Sequence, residues 1–202
     1  MKTRTFLHLF AGAGVAALLG ACSKAAPGPA FQAVDITGAE YAKDFHLPDA
    51  HGKTRSLSEF KGKVVAIFFG YTQCPDVCPT TLAEMAEIRN QLGADGDKLQ
   101  TLFISVDPER DTPEILQAYM ANFDASFIAL RPENQEQLAA VAKDFKVYYK
   151  KVDGSAPGSY TMDHSAATYL YDPMGRLRLY AKYGGGSAPL LADIKLLMQQ
   201  TA

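Results

Sequence analysis

Residues 63–85 read KVVAIFFGYTQCPDVCPTTLAEM and join an apolar run, a loop with two cysteines and the start of a helical pattern. The apolar run over 63–70 is continuous and ends at a glycine, which is typical of a buried central strand. From Pro79 the apolar side chains recur at helical spacing, and Gly93 is a natural stop. They are Leu82, Met85, Ile88 and Leu92. The segment therefore predicts a strand, a cysteine-bearing loop and a helix of an α/β fold.

Each of the two cysteines in this loop, Cys74 and Cys78, is followed directly by proline. Proline biases the residue before it away from helical conformations, so we expect Cys78 to cap the helix and Pro79 to take the first helical position. The positive end of the helix favours thiolates, which are better nucleophiles and better metal ligands than thiols. A plain disulfide staple is disfavoured, because so short a loop removes little entropy from the unfolded chain. A redox pair and part of a metal site both stay open.

The rest of the chain alternates strand and helix patterns. The predicted elements are two short strands within 44–57, a buried strand over 99–107, helices over 113–122 and 133–145, a hairpin from 166–172 and 176–183, and a closing helix around 190–198. Asp111, Thr112 and Pro113 give the capping signal of the helix over 113–122. This order predicts a three-layer α/β sandwich with a right-handed parallel crossover.

The N-terminus has the pattern of an export signal. Lys2 and Arg4 precede an apolar run that is too short to span a membrane, and small residues lie just before Cys22, as in a bacterial lipoprotein processing box. We therefore expect a lipoprotein-type signal peptide over 1–21 and a flexible tether over 22–33. Lipid on Cys22 would hold the exported protein on a membrane, facing the bacterial periplasm.

Composition limits the partners. The 202-residue chain is 48% apolar with a formal net charge of −2, which fits one globular domain. It has no basic patch interleaved with aromatic residues and no run of five like charges, so a nucleic acid is not expected. With Cys22 lipidated, only two cysteines remain, and the fold must rely on its core rather than on a disulfide framework.

A metal site on two thiolates needs a further ligand. Of the histidines, His46 and His51 are expected at the surface, whereas His164 directly precedes an apolar strand in YTMDHSAATYLYD. A single histidine at a strand edge is more often a hydrogen-bonded structural residue than a ligand. Oxygen ligands could come from Asp76, Asp107 or Asp163. Asp107 ends a predicted strand, where α/β folds place functional groups, and is a candidate for supporting the site or docking a partner, as is Asp163.

The three segments FFGYTQCPDVCPTTL, ISVDPERDTPEIL and DHSAATYLYDPMGRLR, in this order, resemble the Sco/SenC family of thioredoxin-like copper proteins over residues 35–200. The resemblance implies a thioredoxin-like three-layer sandwich with an N-terminal β extension, formed by one domain over 34–202. It implies one copper ion per chain, Cu(I) or Cu(II), bound by Cys74, Cys78 and His164. Soft thiolates suit Cu(I) and an added imidazole suits Cu(II), whereas zinc would want a fourth ligand or a water.

The resemblance also implies a copper chaperone that delivers copper to the binuclear copper centre of cytochrome c oxidase. Its partners would be the copper-bearing subunit of that enzyme, with a copper donor protein or a thioredoxin-like reductant beside it. A second hypothesis is a thiol–disulfide reductase that keeps the acceptor's cysteines reduced, with Cys74 and Cys78 as a redox pair that can close a disulfide bond. A third is a peroxidase, because VCPTTL resembles part of the peroxiredoxin loop. Whether the protein is an enzyme stays open at this point.

Overall fold

The computed structural model describes residues 30–200. The signal peptide predicted over 1–21, Cys22 and the first part of the tether lie outside the described residues. The strands are β1 (Val34–Asp35), β2 (Leu47–Pro48), β3 (Thr54–Arg55), β4 (Val64–Gly70), β5 (Leu99–Ser105), β6 (Ile128–Leu130), β7 (Tyr149–Asp153), β8 (Tyr160–His164), β9 (Ala167–Tyr171) and β10 (Leu177–Lys182). The helices are α1 (Val77–Leu92), α2 (Pro113–Ala121), α3 (Gln135–Asp144) and α4 (Ser187–Gln199).

A mixed six-stranded sheet in the order β1-β10-β9-β4-β5-β6 forms the centre of the fold. The strands β4, β5 and β6 are parallel, and β9 pairs antiparallel with β4. The short β1 extends the edge by pairing with β10, while β2 with β3 and β7 with β8 form separate two-stranded sheets. The helix α1 connects β4 to β5, as the strand–loop–helix pattern predicts.

Two apolar layers cover the sheet, because successive side chains of β4 point to opposite faces. Val64, Ala66 and Phe68 face the layer that contains the apolar sides of α1, α2 and α4. Val65, Ile67 and Phe69 face the layer built from α3 and the segment over 42–60. All seven residues of β4 are buried. The predicted three-layer α/β sandwich with an N-terminal β extension is therefore confirmed.

The closing helix α4 begins at Ser187, three residues before its predicted start, and the other helix boundaries match the sequence prediction within two residues. At α1 the difference changes the place of Cys78. The helix begins at Val77, so Cys78 lies within its first turn and is not the capping residue. A proline disfavours the helical conformation of its predecessor without forbidding it, and the complete burial of Cys78 compensates. At α2, Thr112 accepts a hydrogen bond from the Ile115 amide and Pro113 is the first helical residue, as predicted, but Asp111 is buried and is not a cap.

The sequence prediction lacks the hairpin of β7 and β8 and the short strand β6. The hairpin is mostly exposed, so it shows little of the apolar alternation that marks a strand half-buried on a sheet. Its only clear signal is the turn-rich sequence GSAPGS over 154–159. Within residues 30–200, no helix is long and apolar enough to span a bilayer.

Candidate metal centre

The cysteine loop, residues 71–76, leaves the central strand β4 at the edge of the sheet where β5 also ends. Cys74 lies in this loop and is partly exposed, whereas Cys78 in the first turn of α1 is fully buried. Neither cysteine forms a disulfide. The two thiols are therefore placed differently, one within reach of a partner and the other in the floor of the site.

Asp111 supports the cysteine loop from below. Its carboxylate accepts hydrogen bonds from the Thr72 amide at 3.2 Å and the Thr72 hydroxyl at 2.6 Å, and from the Ser105 hydroxyl at 2.6 Å. Burial raises the pKa of Asp111, although these hydrogen bonds oppose the shift. The residue that the sequence assigned to helix capping instead ties the loop to the end of β5.

His164 is the last residue of β8 and faces the cysteines. Its Nε2 atom lies 3.7 Å from the sulfur of Cys78, and its Nδ1 atom lies 3.1 Å from the backbone oxygen of Ser165. A carbonyl oxygen only accepts hydrogen bonds, so Nδ1 donates to it and Nε2 is the ring nitrogen that faces the sulfurs. The base of the hairpin is closed by hydrogen bonds in both directions between Tyr148 and Ser165.

The folded chain brings the three side chains named by the family resemblance together. The two sulfurs and one imidazole nitrogen of Cys74, Cys78 and His164 all lie within 4.8 Å of one another. They are separated by up to 90 positions in sequence, and the sequence alone gave no distance between them. His46 and His51 are exposed, as predicted.

The pKa values of the two cysteines are shifted in opposite directions. The Cys78 thiol donates to the Cys74 sulfur and lowers the pKa of Cys74 to about 3, against burial and with help from His164 and the amides of Asp76 and Cys78. The same hydrogen bond, together with burial, raises the pKa of Cys78 far above its ordinary value. Cys74 is therefore the thiolate of the pair, and Cys78 must lose its proton before it can bind a metal ion.

The aspartates considered from the sequence lie outside this group of ligand atoms. Asp107 is buried and accepts hydrogen bonds from Arg110 and from the Tyr160 hydroxyl at 2.9 Å. Asp163 is exposed on β8, and its side chain points to the opposite side of the strand from that of the next residue, His164. Asp76 precedes α1 and is exposed. Asp107 pairs with Arg110, which in turn contacts Gln73 and Tyr160, and these two distant contacts could not be predicted from the sequence.

Two soft sulfur ligands and one imidazole give this site a defined chemistry. Thiolates favour Cu(I), and an imidazole that is added to them also suits Cu(II). Cys74 and His164 are partly exposed, so a partner's ligand can approach a bound ion from that side. The arrangement is that of a site that could hold a soft metal ion.

Known proteins resemble the chain in sequence. An SCO2-like protein of Rickettsia felis is 41% identical over 134 residues, which are 66% of this chain and 65% of that protein. The match therefore spans slightly less than two thirds of the relative's length.

Solved structures and a family model agree with this similarity. Bradyrhizobium japonicum ScoI with copper bound is 42% identical, with a TM-score of 0.69 over 76% of this chain and 97% of that one. Yeast Sco1 with copper bound is 30% identical, with a TM-score of 0.70 over 79% and 88%. The SCO1/SenC model matches residues 34–199. The chain therefore belongs to the SCO1/SenC family.

Proposed function

We propose that this protein is a copper chaperone that holds one copper ion with Cys74, Cys78 and His164 and passes it to the copper-bearing subunit of cytochrome c oxidase. The observation that carries the proposal is the convergence of two sulfurs and one imidazole nitrogen within 4.8 Å. The copper bound in the structures of B. japonicum ScoI and yeast Sco1 supports copper as the ion. The identity of the acceptor is inferred from the family resemblance.

Ligand exchange explains the transfer. Cys78 is buried at the floor of the site, whereas Cys74 and His164 are accessible. An incoming thiolate or imidazole of the acceptor binds the ion first, and His164 or Cys74 then dissociates. Cys78 leaves last and takes up a proton, which its raised pKa favours. The buried cysteine thus keeps the ion bound until the acceptor holds it.

Location follows from the N-terminal sequence. The basic residues, the short apolar run and the small residues before Cys22 support export and lipid attachment. The tether over 22–33 would then let the copper site approach a membrane-bound acceptor from the periplasm. A donor of copper, or a reductant of the two thiols, would meet the protein in the same compartment.

Copper titration of the reduced protein tests the proposal. We expect one ion per chain, with charge-transfer absorption from sulfur and nitrogen couplings in the EPR spectrum of the Cu(II) form. His164→Ala should weaken Cu(II) binding by at least about a hundredfold, since loss of even a hydrogen-bond partner of a metal ligand costs about 10- to 100-fold. His46→Ala is the matched control, because His46 is exposed and lies outside the ligand group. Equal Cu(II) affinity in both variants would exclude His164 as a ligand.

The lowered pKa and partial exposure of Cys74 favour a second candidate function, thiol–disulfide reduction. The Cys74 thiolate would attack a sulfur of the partner's disulfide and release one partner thiolate. Cys78 would then attack Cys74, form the intramolecular disulfide and give its proton to the second departing thiolate. Reduction of an acceptor peptide's disulfide by His164→Ala at the wild-type rate would separate this activity from copper binding.

A further inference from the structure

The hairpin of β7 and β8 needs side-chain contacts to fix its position. It carries His164 but forms its own two-stranded sheet and does not join the central one. An isolated two-stranded hairpin is only marginally stable in water. Met162 packs in the core and β9 follows His164 closely, but the distance between His164 and the cysteines also depends on the contacts that join the hairpin to the cysteine loop.

Arg110, in the loop between β5 and α2, contacts both segments. One of its terminal nitrogens, Nη1, donates a hydrogen bond to the side chain of Gln73 at 3.0 Å and another to the backbone oxygen of Tyr160 at 2.9 Å. Gln73 is the residue before Cys74, and Tyr160 begins the strand that ends in His164. A single guanidinium group thus joins the two segments that carry the three proposed ligands.

Aromatic contacts reinforce this link. The guanidinium carbon lies 3.5 Å from the ring centroid of Tyr160 and 5.7 Å from that of Tyr71. The Tyr71 ring in turn meets the His164 ring edge to face, with centroids 5.9 Å apart. A planar guanidinium can stack on a ring and donate in its own plane at the same time, which a lysine ammonium cannot.

The contacts of the Arg110 side chain contribute little to the stability of the fold. It is 20% exposed, and it pairs through Nε with Asp107, whose side chain is 3% exposed. Its Nη2 atom is buried and has no hydrogen-bond partner among the described residues. Buried ion pairs repay their desolvation poorly, and an unsatisfied donor adds a further cost. Fixing a geometry explains this arrangement better than stabilising the fold does.

We propose that Arg110 is a positioning residue that clamps the β7–β8 hairpin onto the cysteine loop and so sets the distance between His164 and the two sulfurs. The proposal rests on the ligand set of the proposed function. Cu(II) uses the imidazole and therefore depends on the clamp. Cu(I) is satisfied by the two thiolates, which the Thr72–Asp111 contacts hold independently of the hairpin.

Arg110→Lys tests the clamp with the charge opposite Asp107 retained. Arg131→Lys is the matched control, because Arg131 is bonded to the same loop through the backbone oxygens of Asp111 and Pro108 but is not bonded to Gln73 or Tyr160. We expect Arg110→Lys to speed Cu(II) dissociation about tenfold, as expected for the loss of a charge-assisted hydrogen bond. Its nitrogen EPR couplings should weaken, while Cu(I) affinity stays within about threefold of the control.

A measurement without copper separates the clamp from the proposed function. Backbone amides over 160–164 should exchange hydrogen faster in copper-free Arg110→Lys than in copper-free Arg131→Lys. If the wild-type protein binds no copper, the proposed function fails, and this exchange still decides whether the clamp exists. Equal exchange and equal Cu(II) dissociation in the two variants would overturn the proposal.

A second variant keeps the test decisive if Arg110→Lys does not fold. Gln73→Leu removes only the hydrogen bond between Arg110 and the side chain of Gln73 and leaves the pair of Arg110 with Asp107 intact. We expect a smaller increase of the Cu(II) dissociation rate in the same direction. A Cu(II) dissociation rate equal to that of Arg131→Lys would overturn the proposal here as well.

Discussion

The sulfur of Cys78 lies so close to the backbone of Gly70 that a Cβ atom added to Gly70 would be 2.5 Å from it. The same Cβ would lie 2.7 Å from the ring of Phe103 on the neighbouring strand. Gly70 ends β4 and Cys78 lies in the first turn of α1, so the glycine lets the helix approach the sheet. The position of the buried thiol therefore depends on a missing side chain.

Gly70→Ala should push the first turn of α1 away from the sheet, because both close atoms belong to buried residues. We expect a loss of about 1 to 3 kcal/mol in the free energy of unfolding, as for an added methyl group in a packed core. Cu(I) affinity should fall as well, since the Cys78 sulfur moves relative to the Cys74 sulfur. Urea unfolding and a Cu(I) competition titration measure the two effects.

Gly185→Ala is the control for this substitution. A Cβ there would meet only the backbone oxygen of Lys182, at an ordinary 3.7 Å. We expect nearly wild-type stability and copper affinity. If Gly70→Ala had the same stability and copper affinity as Gly185→Ala, the close approach of α1 to β4 would not determine the position of the Cys78 thiol.

Alkylation should distinguish the two cysteines. Cys74 is partly exposed and its pKa is lowered to about 3, whereas Cys78 is buried and its pKa is raised. Iodoacetamide should therefore modify Cys74 first, at a rate that stays nearly constant between about pH 5 and pH 8, because the thiolate fraction does not change there. An ordinary thiol would slow about tenfold per pH unit below pH 8. Peptide mass spectrometry at several pH values identifies the modified residue.

The reverse result has a clear meaning. Preferential modification of Cys78, or a rate at Cys74 that falls steeply below pH 8, would show that the thiolate is not on the exposed cysteine. The order of attack in the reductase scheme would then be wrong. The order of ligand exchange in the chaperone scheme would need the same revision.

Strong patterns of local sequence predicted most of the fold. The six consecutive apolar residues of β4 and the helical stripe of α1 are such patterns, and both elements appear nearly where they are expected. The start of α1 is different, because burial of Cys78 outweighs the preference of a residue before proline. The β7–β8 hairpin lacks a buried face over most of its length, so hydrophobic alternation could not reveal it.

The residues of the site could be predicted from the sequence, but their spatial arrangement could not. Two cysteines near a helix N-terminus indicate reactive thiols on physical grounds, whereas the role of His164 as a ligand followed only from the family resemblance. The support from Asp111 and Arg110 depends on contacts between segments about 40 to 50 positions apart. The first contact arises because β5 lies beside β4, and the second because the β7–β8 hairpin lies beside the loop after β5; no local pattern specifies either arrangement.

Acid should weaken the protein in part through Asp172, in the turn between β9 and β10. Burial would raise the pKa of Asp172, but hydrogen bonds from Arg176 and Arg178 outweigh burial and lower the pKa below its ordinary value. A carboxylate with a lowered folded-state pKa stabilises the fold above its unfolded-state pKa of about 3.9. That contribution is lost as the pH falls through the lower, folded-state pKa.

Asp172→Asn should therefore cost about 3 kcal/mol of unfolding free energy at pH 7, where it leaves Arg178, which is 12% exposed, without its carboxylate partner. The difference from wild type should shrink as the pH falls below about 4. Asp97→Asn, which removes an exposed carboxylate that pairs with Arg89, serves as the control and should leave the profile unchanged. A difference for Asp172→Asn that stays constant from pH 7 to pH 3 would contradict the ionic explanation.

Oxidation of the two thiols should switch copper binding off. The sulfurs of Cys74 and Cys78 lie within 4.8 Å of each other and are unbonded, and a disulfide requires them to approach to about 2.05 Å. The Cys74 loop can supply this movement, since Cys74 is partly exposed and Cys78 is fixed in the core. A disulfide leaves His164 as the sole ligand of the set, so copper affinity should fall by several powers of ten and return on reduction.

Copper titrations of the diamide-treated protein measure this loss of affinity, and titrations after dithiothreitol treatment and its removal measure the recovery. A Cys74→Ser variant is the control, because diamide should not alter its copper affinity. An oxidised wild-type protein that binds copper as tightly as the reduced one would show that the thiolates are not the ligands.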